Sequence, residues 1–88
     1  MQVIIKSSFK KDVNSINEKS ILLKLQEIIK VLKILENFYD VTNCKKLKGS
    51  ENYYRIRIGN YRIGFKLEDN SIVLLRFLHR KEIYRYFP

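Results

Sequence analysis

Cysteine is nearly absent from this 88-residue sequence, in which Cys44 is the only one. A single cysteine permits no disulfide within the chain and fits a reducing compartment, so we expect a cytoplasmic protein. No metal-ligand spacing surrounds Cys44, which favours a half-buried apolar role over metal binding. Long apolar runs are missing as well, since the N-terminal one is only Val3-Ile4-Ile5. We therefore expect neither a signal peptide nor a membrane-spanning segment.

The motifs of cofactor-dependent and hydrolytic enzymes are missing too. The three glycines form no phosphate-binding loop, which argues against the use of nucleoside triphosphates. No serine stands with histidine and aspartate in a pattern that indicates a nucleophile. The carboxylates of the second half make no paired motif for a catalytic metal; they are Glu51, Glu68, Asp69 and Glu82. We expect no cofactor and no metal ion.

Acidic residues are scarce, with 9 against 18 basic ones, and the formal net charge is +9. The imbalance is uneven: residues 1–40 have a net charge of +2, residues 41–88 have +7, and all six arginines lie at or after Arg55. Such a one-sided field indicates an anionic polymer as partner, chiefly nucleic acid, although an acidic protein would also fit. A membrane surface is disfavoured, because the arginines follow a strand pattern and not a basic amphipathic helix.

The most strongly patterned stretch of the chain is Tyr54–Phe65. Gly59-Asn60 in its middle is a candidate two-residue turn, because both residue types tolerate positive φ. This turn sets a register with three facing pairs: Ile58 with Tyr61, Arg57 with Arg62, and Arg55 with Gly64. Because side chains alternate along a strand, the apolar residues then share one face of the hairpin and the arginines share the other.

The predicted pairing of Arg57 with Arg62 is costly by itself, since like charges opposed across strands destabilise by up to about 1 kcal/mol. A phosphate bound between the guanidiniums would remove that cost, and arginine favours a planar, bidentate grip on phosphate. For a single arginine we would prefer the alternative, an exposed sheet face that happens to be basic. For three converging arginines, with Arg55 as the third, we predict an anion site.

The remaining pattern predicts an α+β fold in one domain, residues 1–88. A short N-terminal strand at Gln2–Ile5 is followed by a two-helix hairpin, whose second helix runs from about Ile21 to Leu35 with an apolar stripe that packs on the sheet. Residues 44–49 form an extended basic segment, and Ser50-Glu51-Asn52 form a turn.

Three antiparallel strands then form a small twisted sheet. The first two are the arginine hairpin, which ends at about Leu67. The third, Ile72–Leu78, is apolar on both faces and is therefore placed in the sheet interior. Residues 79–88 close the chain as a short C-terminal helix or tail. Arg76 lies in the apolar strand, where we expect a structural ion pair with a carboxylate such as Glu27 or Glu36.

Three segments together resemble a known family: Leu47-Lys48-Gly49, the hairpin from Tyr54 to Ile63, and His79-Arg80-Lys81-Glu82-Ile83-Tyr84-Arg85. They are similar to the RelE/ParE superfamily of toxins from type II toxin–antitoxin modules, and the resemblance spans the whole chain. The RelE-like branch is the more similar one, and its members are ribosome-dependent mRNA endonucleases. The resemblance implies mRNA on the ribosome as the target. It also implies a cognate antitoxin that wraps the toxin and holds it inactive.

The resemblance also implies the site. The family's two basic residues on the second strand match Arg55 and Arg57, and the basic residue of its Gly-x-Tyr-Arg motif matches Arg62. Its basic residue after the last strand matches Arg80, its tail tyrosine matches Tyr84, and a histidine that some relatives use matches His79. The candidate catalytic residues are therefore Arg55, Arg57, Arg62, His79, Arg80 and Tyr84.

Cleavage of RNA by its own 2′-OH defines the tasks that these residues could perform. The arginines suit stabilisation of the charged phosphorane, because preorganised cations act where charge develops. His79 has the one side chain that titrates near neutrality, and Tyr84 could act as a base if neighbouring guanidiniums lower its pKa. Each also has a plain alternative: His79 can end a strand with a satisfied hydrogen bond, and Tyr84 can lie at the edge of the core.

Other basic side chains are expected to attract RNA without taking part in chemistry. These are Lys45, Lys46, Lys48, Lys66, Lys81 and Arg85. Two further functions stay open at this point. One is a ParE-like, non-enzymatic inhibitor of DNA gyrase, and the other is a nucleic-acid-binding domain without toxicity.

Overall fold

The computed structural model of the protein describes residues 1–49 and 51–88, the side chain of Tyr39 excepted. Its helices are α1 (Ser7–Asn14), α2 (Lys19–Ile34) and α3 (Arg80–Tyr86), with a 3₁₀ turn at Phe38–Asp40. Its strands are β1 (Gln2–Ile5), β2 (Cys44–Lys46), β3 (Tyr53–Ile58), β4 (Tyr61–Glu68) and β5 (Ser71–His79). The predicted α+β fold is confirmed, while the turn predicted from Ser50 begins outside the described residues.

The five strands form one sheet in the order β1-β5-β4-β3-β2. The three predicted antiparallel strands are its centre, and β5 lies inside the sheet as expected for a strand that is apolar on both faces. Two outer strands extend the prediction. The N-terminal strand pairs with β5 in parallel, and the start of the extended basic segment pairs with β3 as an edge strand.

The hairpin register follows the turn as predicted. Gly59 takes a φ of +56°, a conformation that glycine reaches without steric cost. All three predicted pairs are confirmed: Ile58 with Tyr61, Arg57 with Arg62, and Arg55 with Gly64. The apolar and basic residues of the hairpin are therefore sorted onto opposite faces of the sheet.

One face of the sheet packs against α1 and α2 and forms the main core. Helix α2 buries Ile21, Leu25 and Leu32 from its predicted apolar stripe, and α1 contributes Phe9. Strands β3, β4 and β5 complete the core with side chains that are at most 3% exposed: Ile56, Ile58, Ile63, Phe65, Ile72, Leu74 and Phe77. No helix in the described ranges is both long enough and apolar enough to span a membrane. The basic face of the sheet, which carries the arginines of the hairpin, is not covered by α1 and α2.

Helix α1 covers the edge of β5 where β1 has ended. Ser8 Oγ donates to the carbonyl of Leu75 at 2.6 Å, and Asp12 Oδ2 accepts from the backbone N–H of Phe77 at 2.9 Å. Asp12 also accepts from Arg76 in a bidentate pair, with distances of 2.8 and 3.0 Å. The expected ion pair of Arg76 thus exists, but the predicted partners Glu27 and Glu36 are wrong. The acceptor is on α1, because α1 and not α2 lies beside this edge.

Asp12→Ala is expected to lower the free energy of unfolding by about 2 kcal/mol. The change leaves Arg76 without its carboxylate and Phe77 N–H without its acceptor, at a site where the Asp12 side chain is only 10% exposed. Urea unfolding of the two proteins measures the difference. The matched control is Glu27→Gln, which removes an exposed ion pair to Lys30 and should cost under about 0.5 kcal/mol. Equal losses for both variants would contradict the role given to Asp12.

Candidate active site

The basic face of the hairpin opens into a cleft of about 350 Å³ between strands β2, β3 and β4 and helix α3. The cleft contains all three arginines of the hairpin and the tyrosine of α3. Its lining residues are Val41, Asn43, Cys44, Lys45, Arg55, Arg57, Arg62 and Tyr84. Five of the eight are cationic or phenolic groups that the sequence singled out, so the predicted cluster forms a concave site.

The three arginines of the cleft have no carboxylate partners in the described part of the chain. The ion pairs found there are Lys30–Glu27, Lys66–Glu68 and Arg76–Asp12, none of which reaches into the cleft. Arg57 and Arg62 are directly opposed across β3 and β4, so their charges repel. The positive charge of the cleft is therefore left for an external anion.

Arg62 is held in place by the backbone of its own turn. Its Nη1 donates to the carbonyl oxygens of Gly59 at 3.0 Å and Tyr61 at 2.9 Å. Partial burial and the charge of Arg57 lower the pKa of the Arg62 guanidinium. An arginine stays protonated under such a shift, so the shift reports the cost of partial burial together with repulsion by Arg57.

Arg55 lies deeper in the cleft and is half-buried. Its Nη1 is inaccessible to solvent and has no hydrogen-bond partner among the described residues. Its guanidinium carbon lies 4.5 Å from the centroid of the Tyr84 ring, within cation–π range. A buried donor without an acceptor is costly, which adds to the cost of placing Arg55 in the cleft.

Tyr84 is 73% exposed and stands at the mouth of the cleft on α3. Hydrogen bonding from the Arg55 guanidinium and its charge lower the pKa of the Tyr84 phenol, and Arg62 and Lys45 add to the effect. The condition under which the sequence allowed Tyr84 to act as a base is therefore met. The Tyr84 ring also covers the Arg55 guanidinium. Tyr84 therefore contacts Arg55 on one side and solvent on the other.

Cys44 forms part of the cleft wall. Burial raises the pKa of its thiol to about 11. The thiol therefore stays protonated near neutral pH and is a poor nucleophile. This environment agrees with the half-buried apolar role expected from the sequence.

The structure does not bring His79 into the cleft. His79 pairs with Tyr61 at the end of β5, and its ring contacts the Tyr61 ring at 5.5 Å on the face that carries the core. Its Nδ1 accepts from the backbone N–H of Lys81 at 3.2 Å and caps α3. This arrangement corresponds to the plain alternative, a strand end with a satisfied hydrogen bond. Arg80, the first residue of α3, is exposed, and its charge is among those that lower the pKa of Arg62.

The residues expected to attract RNA are spread more widely. Lys45 lines the cleft, and Lys46 and Lys48 are exposed along the neighbouring sheet edge. Lys81 and Arg85 are exposed on α3. Lys66 forms an ion pair with Glu68 at 2.6 Å, so part of its charge is neutralised within the protein.

Sequence reasoning missed two cleft residues, Val41 and Asn43. Asn43 takes a φ of +56°, and its carbonyl accepts from the backbone N–H of Arg57 at 3.0 Å. An asparagine just before a strand is a signal for such a turn, but only the pairing of β2 with β3 brings it to the arginines. Within residues 1–49 and 51–88, no group of three or more His, Cys, Asp or Glu side chains is placed to hold a metal ion.

Comparison with known proteins gives consistent matches. The family model described as "ParE toxin of type II toxin-antitoxin system, parDE" matches residues 3–84. Toxin RelE3 of Methanocaldococcus jannaschii is 40% identical over 89 residues, with all of both chains covered. A RelB–RelE antitoxin–toxin complex from Methanococcus jannaschii contains a chain with a TM-score of 0.83 and 38% identity, covering 97% of this chain and 99% of that one. A RelE–RelB complex from Pyrococcus horikoshii, at 24% identity and a TM-score of 0.71 with 90% and 93% covered, shares the fold.

Proposed function

This chain belongs to the RelE/ParE superfamily, the toxins of type II toxin–antitoxin systems, and we propose that it is a RelE-like endonuclease that cuts mRNA on the ribosome. The observation that carries the proposal is the cleft of Arg55, Arg57 and Arg62 beside Tyr84. Three guanidiniums without carboxylate partners in the described chain line a cleft with a phenol, and Arg55 and Arg62 lower the pKa of that phenol. Phosphate is the anion that fits this arrangement, and RNA supplies both the phosphate and a 2′-OH.

The proposed reaction is attack of the ribose 2′-oxygen on the adjacent phosphorus. A new P–O2′ bond forms, the P–O5′ bond breaks, and the products carry a 2′,3′-cyclic phosphate and a 5′-hydroxyl. Tyr84 takes the 2′-OH proton as phenolate, and the departing 5′-oxygen takes a proton from water. Because the arginines supply the positive charge that the phosphorane needs, we propose that the reaction requires no metal ion.

Each arginine has a separate part in the proposed site. Arg55 contacts Tyr84 and adds its positive charge beside the phosphate. Arg57 and Arg62 bind the phosphate from the opposed strands, and their mutual repulsion is relieved when the anion lies between them. Lys45 lines the cleft and binds the neighbouring phosphate of the RNA. The other exposed cations steer RNA towards the cleft.

The partner that keeps such a toxin inactive is an antitoxin protein. A chain 38% identical to this one occurs in a RelB–RelE antitoxin–toxin complex. The formal charge of +9 favours an antitoxin that brings acidic side chains to the basic face. We propose that the cognate antitoxin binds this chain and blocks access of mRNA to the cleft.

The test is translation of a reporter mRNA in a cell-free system with the purified protein, followed by mapping of the mRNA ends. We expect cuts inside the coding region when ribosomes translate, and intact RNA when ribosomes are left out. A 2′-deoxy nucleotide at a mapped cut should abolish that cut, because the attacking hydroxyl is gone. Intact mRNA together with inhibition of gyrase in a supercoiling assay would overturn the proposal in favour of the ParE-like alternative.

A further inference from the structure

Helix α3, which carries Tyr84, has only seven residues, Arg80–Tyr86. A helix of this length is not stable alone and depends on tertiary packing. Its packing comes from Ile83, which is 0% exposed, and from Phe87 just beyond its end, which is 6% exposed. Tyr84 itself is 73% exposed, so apart from its contact with Arg55 its place at the cleft is set by the backbone of α3.

Phe87 packs on Gly64, the one glycine within the two strands of the hairpin. A Cβ built on Gly64 would lie 2.7 Å from Cγ and Cδ1 of the Phe87 ring and 2.9 Å from Cδ2. The ring therefore rests on the Gly64 backbone, and it also meets the edge of the Tyr53 ring at 5.8 Å between centroids. Gly64 is the cross-strand partner of Arg55, so Phe87 lies next to the arginine that Tyr84 covers.

We propose that Phe87, seated on Gly64, is a positioning residue that holds Tyr84 over Arg55. The inference rests on the proposed function, in which Tyr84 removes the 2′-OH proton. It assigns a role to the last turn of the chain and to Gly64, neither of which touches RNA in the proposed reaction. The contact works through geometry: the notch at Gly64 fixes the end of α3, and Tyr84 lies one turn earlier, within reach of Arg55.

A double-mutant cycle separates positioning from general damage. Phe87→Ala should lower the single-turnover cleavage rate by about 100-fold in the wild-type background, the loss that misplacement of a reacting group by about 1 Å produces. In a Tyr84→Phe background the same change should cost less than about threefold, because no base is left to misplace. Equal losses in the two backgrounds would overturn the proposal.

A second measurement needs no RNA and so distinguishes failure of this inference from failure of the proposed function. Tyrosine ring ¹³C signals followed by NMR over a pH titration report the pKa of Tyr84, which contact with Arg55 lowers. Phe87→Ala should return that pKa towards its ordinary value. An unchanged Tyr84 titration in a folded Phe87→Ala protein would overturn the proposal even if the protein cuts mRNA.

Matched variants keep the test valid if Phe87→Ala unfolds. Phe87→Leu keeps an apolar side chain on Gly64 and should retain most of the activity and most of the Tyr84 shift. Gly64→Ala pushes the ring away from the strand and should reproduce Phe87→Ala. Glu82→Gln alters an exposed residue of the same helix and should leave both measurements unchanged. A Gly64→Ala protein that has both wild-type activity and the wild-type titration of Tyr84 would contradict the assignment.

Discussion

Replacing Arg62 by alanine is expected to lower the rate of mRNA cleavage on the ribosome by about 10²–10³-fold. Arg62 is the best anchored of the three arginines, because two backbone carbonyls hold its Nη1 at 2.9 and 3.0 Å. A preorganised cation stabilises the phosphorane without reorganising during the reaction, and losing one such donor has an effect of this size. Single-turnover cleavage of mRNA in programmed ribosomes measures the rate.

Arg62→Lys is the control for charge against geometry. It keeps a cation in the cleft but loses the planar fork, so its rate should fall between those of wild type and Arg62→Ala. Wild-type cleavage by Arg62→Ala would remove Arg62 from the site. Equal rates for the lysine and alanine variants would show that the fork, and not the charge alone, is what matters.

Substitution of Arg57 should raise the stability of the protein while it lowers the cleavage activity. Arg57→Thr removes one of two opposed like charges and replaces it with a residue that suits strands, so unfolding should become harder by a few tenths to about 1 kcal/mol. Cleavage by the same variant should fall. This combination is the signature of a residue retained for function against stability, and a variant that loses both would indicate a structural arginine instead.

The part of the site that could be predicted from sequence is the part that one turn fixes. A two-residue turn at Gly59-Asn60 leaves a single register, and the period of two then decides the face of every residue in β3 and β4. For this reason the cluster of Arg55, Arg57 and Arg62 followed from local pattern alone. The same logic correctly placed the apolar half of the hairpin in the core.

Residues of β5 and α1 could not be placed in this way. Because β5 is apolar on both faces, it shows no alternation from which the face of His79 could be inferred, and that ring lies on the core side beside Tyr61. The partner of Arg76 depends on the parallel pairing of β1, which ends early and leaves the edge that α1 and Asp12 cover. Such contacts between distant segments have no period in the sequence.

The position of α3 is a further case of a distant contact. Its apolar residues Ile83 and Phe87 are four positions apart, as on one face of a helix, and the structure buries both. What the sequence did not reveal is that Gly64 provides the surface for Phe87, because a glycine in a strand indicates a close approach without naming the partner. The candidate site thus consists of a strand pair that the sequence predicts and a helix whose position depends on tertiary contacts.

Tyr84→Phe is expected to lower the cleavage rate by about 10²–10⁴-fold and to remove its dependence on pH. A general base acts in its deprotonated form, so the wild-type rate should rise with pH until the pKa of Tyr84 is reached. Arg55 lowers that pKa, which increases the phenolate fraction at neutral pH. The rates are measured in preformed complexes with programmed ribosomes over about pH 6 to 9. The ribosome, and not the toxin, sets the limits of this pH range.

Arg55→Met gives the sign of the electrostatic effect. Without the guanidinium the pKa of Tyr84 should increase towards its ordinary value. The cleavage rate should then be lower than that of the wild type at every pH below this pKa, and the increase of the rate with pH should move to higher pH. Tyr86→Phe, which changes the neighbouring exposed tyrosine of α3, should keep the wild-type profile. If Tyr84→Phe retains the wild-type pH dependence, another group removes the 2′-OH proton. The cleft would then bind and polarise the phosphate through its arginines while Tyr84 serves to cover Arg55.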